Sequence, residues 1–99
     1  MKTNYLIAVD DFCTLQNVEL SFVHSLHEAG LIEIITKRKK RYIDIRQTQQ
    51  LEKFIRFHYE FEINLEGIET ISHLLQRILI KQDEITALKN RLRLYETND

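Results

Sequence analysis

The stretch NVELSFVHSLHEAGLIEI, Asn17 to Ile34, decides how the chain is read. Leu20, Val23 and Leu26, with Leu31 beyond them, recur near the helical period, so a helix is expected over Glu19 to Ala29. Gly30 is placed to end that helix in a left-handed conformation, which a Cβ would penalise. Asn17-Val18 reads as the turn that leads into it. Upstream, Tyr5 to Val9 reads as a short strand. Asp10 and Asp11 suit a helix N-cap, because a carboxylate accepts the free N–H groups of a first turn. Residues 10–16 then form a short helix with Phe12 and Leu15 on one side. Two short helices joined by a tight turn outline a helix-turn-helix.

Downstream, Ile32 and Ile34 and then Ile43 and Ile45 alternate with polar residues around Lys37, Arg38, Lys39, Lys40 and Arg41. This reads as a hairpin with a basic tip, a wing. No Asn-Gly or Asp-Gly is present, so a turn longer than two residues is expected. A third helix is expected from Gln47 to Glu62. It gathers Leu51, Phe54, Ile55, His58 and Phe61 on one face, and Phe54, Phe57 and Phe61 read as core. Asn64 is a strong helix start, with Glu66 in the first turn and Ile63 and Ile68 as a hydrophobic staple. Gly67 in that turn implies a close backbone approach.

The last helix is expected from Leu65 to Tyr95, on the order of 45 Å long. Ile71, Ile78, Ile85 and Leu92 recur every seven residues, flanked by Leu74, Leu75, Leu88 and Tyr95. That is a coiled-coil stripe for a second copy or another protein. The resulting fold class is mainly α: a winged helix-turn-helix over residues 1–63 and a long C-terminal interaction helix over 64–99.

The chain has 99 residues, 14 Lys+Arg against 15 Asp+Glu, two Gly and no Pro. So few breakers exclude a loop-rich chain and disfavour a many-stranded sandwich with tight turns. One Cys excludes an internal disulfide and a Cys-based zinc site. No stretch approaches the roughly 18 apolar residues of a membrane span, and the N-terminal apolar run is too short for a signal peptide. The expected location is the cytoplasm.

The order of elements resembles the MerR-type winged-helix domain, and NVELSFVHSLHEAGLIEI resembles that family's second helix and wing. The stretch RFHYEFEINLEGIETI, Arg56 to Ile71, followed by a helix ending ALKNRLRLYE, resembles the chaperone-modulator family CbpM. Arg56, Glu60, Asn64, Gly67 and Ile68 carry that likeness, with Leu88, Asn90, Arg91, Leu92 and Arg93 in the tail. The resemblance implies a non-enzymatic modulator that binds the J-domain of a DnaJ-like co-chaperone and restrains or tunes its Hsp70 work.

The second helix weighs against reading DNA. Residues 19–29 contain no Lys or Arg, and Ser21 stands where the MerR pattern usually has Arg. Residues 1–36 hold one Lys against five carboxylates, a net charge of −4, which phosphate would repel. The alternative is a dimeric MerR-family regulator with Lys37 to Arg41 at the DNA backbone. The bland reading of that basic run is a solvated tip that discourages strand aggregation.

Glu60, Glu62, Glu66 and Glu69, with Arg56, form the candidate partner surface. Read blandly, they are a solvated face. Electrostatic matching to a basic J-domain helix would set on-rate and orientation there. Ile71, Leu75, Ile78, Ile85, Leu88 and Leu92 are the candidate oligomerisation stripe. His24 and His27 stand three residues apart, but the spacing suggests no third metal ligand, and Cys13 reads as a small buried apolar residue. No cofactor is expected. No phosphate loop, nucleophile elbow or metal-ligand set is present, so no enzymatic chemistry is expected.

Overall fold

A computed structural model describes residues 5–96. Strand β1 (Leu6–Ala8) runs directly into helix α1 (Val9–Gln16). Ala8 is the N-cap and offers no side-chain acceptor. Asp10 and Asp11 therefore do not cap the helix, as their sequence position suggests. They lie within its first turn, where their charge still favours the positive helix end. Asn17 ends α1 in the left-handed region at φ 57°, and Val18 N–H donates to the Cys13 carbonyl at 3.0 Å.

Helix α2 (Leu20–Glu28) buries Phe22, Val23 and Leu26. Gly30 follows at φ 79°, and Leu31 N–H reaches back to the Leu26 carbonyl at 2.9 Å. This is the glycine-terminated helix end that the sequence implies.

The wing differs from expectation. Strand β2 is only Ile35–Lys37, and it pairs with β3 (Lys40–Asp44) in the register Lys37↔Lys40 and Ile35↔Tyr42. The connection is thus two residues, Arg38 and Lys39, at φ 52° and 67°. Both adopt the left-handed region that a tight hairpin needs to match strand twist, without glycine or asparagine. Ile32 and Ile34 precede the strand, although Ile32 is buried all the same. Ile45 falls in a 3-10 turn, Ile45–Gln47, and not in the strand.

Strand β1 pairs with the other side of β3, giving the antiparallel order β1-β3-β2. Because side chains alternate, Ile43 points into the core, whereas Leu6, Ile35, Lys37, Lys40, Tyr42 and Asp44 share the opposite face.

Helix α3 (Thr48–Tyr59) buries Leu51 and Phe54. It stops three residues before the predicted end, so Phe61 lies in the following loop and is 58% exposed instead of in the core. Helix α4 (Leu65–Glu96) starts as the sequence indicates. Asn64 Oδ1 accepts Gly67 N–H at 2.8 Å. A Cβ on Gly67 would stand 2.6 Å from Ile63 Cγ2, so the close approach inferred from the sequence is real.

The core joins Val9, Phe12 and Cys13 with Phe22, Val23, Leu26, Ile32, Ile43, Leu51, Phe54 and Ile68. The chain forms two compact units that divide between Glu69 and Thr70. The first turn of α4, with Ile68 in the core, belongs to the first unit. Among the described residues no helix is long and apolar enough to cross a membrane.

Candidate functional site

In a helix-turn-helix the second helix is the reading element. Here its solvent side presents Ser21, His27 and Glu28, with His24 and Ser25 half-buried and no Lys or Arg anywhere on it. Its two histidines have separate partners. His27 Nδ1 donates to the Ile32 carbonyl at 3.3 Å. Arg41 Nη1 lies 2.6 Å from His24 Nε2. A guanidinium only donates, so Nε2 accepts and the His24 proton sits on Nδ1.

Arg41 is therefore turned back from the wing onto α2. The other four residues of the basic run are exposed, and none of them has an ion pair among the described residues. Lys37 and Lys40 stand directly opposite each other across the hairpin.

The far end of α2 is held by the end of α3. Tyr59 Oη accepts Glu19 N–H at 3.1 Å. His58 stacks on Phe22 with ring centroids 4.3 Å apart, and Tyr59 meets Phe22 edge-on at 5.7 Å. His58 Nδ1 in turn donates to the Ile63 carbonyl at 3.1 Å. The Glu19–Tyr59 bond joins residues 40 apart in sequence, and with the ring contacts it brings the start of α2 to the α3 terminus. No local pattern announces that pairing.

The acidic residues occupy the α3–α4 corner. Glu60 caps α3 and lies 3.7 Å from Arg56, but both side chains are mostly exposed, so this pair adds little to stability. Glu62 is in the left-handed region at φ 55°, Glu66 is in the first turn of α4, and Glu69 is half-buried one turn on.

The sequence model of the family described as MerR HTH family regulatory protein matches residues 7–90. The chain belongs to the MerR HTH family. Comparisons with curated proteins and with solved structures find no match.

The family match runs well into the last helix of this MerR-family chain. From Thr70 onward that helix carries apolar residues in water: Leu75, Ile78, Ile85, Leu88 and Leu92 are exposed, and Ile71 is half-buried. Leu74, Ile78 and Ile85, with Arg77, Lys81 and Gln82, line a shallow groove of about 470 Å³. Cys13 is buried, and burial followed by the nearby Asp10 charge pushes its thiol up, which keeps it protonated and unreactive.

Proposed function

We propose that this MerR-family regulator is a non-enzymatic protein-binding module of the chaperone-modulator type. It seats the J-domain of a DnaJ-like co-chaperone on the acidic corner formed by Arg56, Glu60, Glu62, Glu66 and Glu69, and so restrains that co-chaperone. The observation that supports this reading is the α2 surface. Base and phosphate contacts rest chiefly on Arg and Lys, and α2 offers serine, histidine and glutamate in their place. The corner has the opposite character, with carboxylates suited to steering a basic helix into place.

A second copy of the chain is the proposed cover for the stripe Ile71, Leu75, Ile78, Ile85, Leu88 and Leu92. The remaining reading, a DNA-binding dimer, is favoured by one feature, the exposed tip Lys37 to Lys40. Such a tip supports phosphate contacts without sequence choice.

Affinity capture from the native lysate with mass spectrometry separates these readings. A DnaJ-like protein supports the modulator; a nucleoid fraction supports the DNA binder. With the captured J-domain in hand, Glu60→Lys with Glu66→Lys is expected to weaken binding about tenfold or more. Unchanged affinity would remove the acidic corner from the account. A sequence-specific gel shift at about 150 mM salt, lost on neutralising Lys37 to Lys40, would favour DNA instead.

A further inference from the structure

The face of the sheet turned away from Ile43 carries two clefts. One, of about 490 Å³, is walled by Tyr5, Leu6, Ile35 and Ile45, with Lys37 and the Asp44–Arg46 pair also lining it. The other, of about 680 Å³, is lined by Leu6 and Tyr42 with three cations, Lys37, Arg38 and Lys40. Leu6 and Lys37 line both, so the two adjoin: an apolar end and a cationic end of one trough-like face.

Among the described residues the cationic end has no counter-charge. Lys37 faces Lys40 across the hairpin, and like charges directly opposite on a sheet are destabilising. Among the described residues the one carboxylate lining either cleft is Asp44. Arg46 holds it through Nη2 at 2.7 Å and Nε at 3.0 Å. Those hydrogen bonds keep Asp44 ionised down to about 2 and fully engaged with its own arginine.

We propose that this outer sheet face docks an extended acidic segment of a partner protein, with an apolar residue two positions from a carboxylate. The spacing follows from the strand: Ile35 and Lys37 share a face and stand about 7 Å apart. An extended peptide lying over that face, along the strands, places its apolar side chain against Tyr5, Leu6 and Ile35. Its carboxylate, two residues on, meets Lys37 and Lys40. The apolar contact supplies affinity, and the two side-chain sites together supply the choice of sequence. This site is separate from the α3–α4 corner and does not depend on what binds there.

The test uses the full chain and three short fluorescent peptides, with Phe-Ser-Glu, Phe-Ser-Lys or Ala-Ser-Glu between neutral flanks. The Phe-Ser-Glu peptide is expected to bind and to shift the amides of Leu6, Ile35, Thr36 and Tyr42. Each of the other two is expected to bind about tenfold more weakly or worse. Lys37→Glu with Lys40→Glu, both exposed positions, is expected to abolish the preference for Glu over Lys while the remaining amide spectrum stays folded. Equal binding of the Lys peptide, shifts confined to other elements, or no binding at millimolar peptide would overturn the proposal. So would a DNA duplex that shifts these amides when the Phe-Ser-Glu peptide does not.

Discussion

Leu26 on α2 and Leu88 on α4 are the same side chain on two helices, yet Leu26 is fully buried and Leu88 is 61% exposed. Around Leu26, α1, α2, β3, α3 and the first turn of α4 each contribute buried residues, so the unit ending at Glu69 closes its own core. From Thr70 onward one helix stands for the whole unit. Leu74, Leu75, Ile78, Leu79, Ile80, Ile85, Leu88, Leu92 and Leu94 all meet solvent there. Exposed apolar side chains of this kind are what the proposed second copy would cover. An apolar repeat in a sequence thus announces that a face wants covering, and the fold decides whether the cover lies within the chain.

Substitutions on the two sides of that contrast should behave oppositely. Phe54→Ala, in the closed core, is expected to cost about 3–5 kcal/mol in urea unfolding. Leu88→Ala in dilute protein is expected to stay within about 0.5 kcal/mol. Its cost should grow with protein concentration as a second copy covers the stripe. A cost independent of concentration, with a sedimentation mass staying at 11.9 kDa, would break the dimer reading.

Gly67→Ala probes the hinge between the two behaviours. Helix propensity alone predicts a gain of about 1 kcal/mol. The added Cβ, however, meets Ile63 Cγ2 at 2.6 Å and Asn64 Oδ1, the capping acceptor, at 3.2 Å. Ile63 is β-branched and has little rotamer freedom to yield. Overpacking of about 1–3 kcal/mol therefore wins, and the variant is expected to be less stable. Increased stability in urea would show that Ile63 moves aside.

The smallest effect is at Asp44. Its carboxyl is held at about 2 against an ordinary 3.8, first by the Arg46 side-chain hydrogen bond and then by the Arg46 backbone N–H. A lowered native pKa stabilises above the unfolded value, and the benefit is lost as pH falls through the native one. Asp44→Asn should therefore flatten the decline in thermal midpoint between pH values of about 4 and 2. An identical acid slope in both proteins would exclude the pair as its source.

Much of the first unit was legible because local chemistry left few options. Asn17 and Gly30 end helices in the left-handed region, and Asn64 caps α4 with Gly67 pressed against Ile63. Where a feature depended on distant partners, the sequence was silent. Phe61 continues the periodicity of α3 on paper, but the helix stops at Tyr59 and the phenylalanine leaves its face. The hairpin turn lacks its usual residues, which made a longer turn the expectation where the structure has two residues. Of the candidate sites, the basic tip and the acidic corner were visible as runs of like charge. The Arg41–His24 contact, the Glu19–Tyr59 bond and the outer sheet trough were not, because each joins segments separated in sequence.

The two-residue turn at the wing tip carries an evolutionary implication. Arg38 and Lys39 hold a conformation that costs an L-residue with a side chain roughly 1–2 kcal/mol. Asn-Gly would relieve it with two base changes or so in each codon and no change of shape. A population selected in the laboratory for heat resistance alone should drift toward Asn-Gly at these positions. One selected for survival in the cell should keep the cations. The divergence between those two lineages would measure what the charges at the tip are worth to the organism.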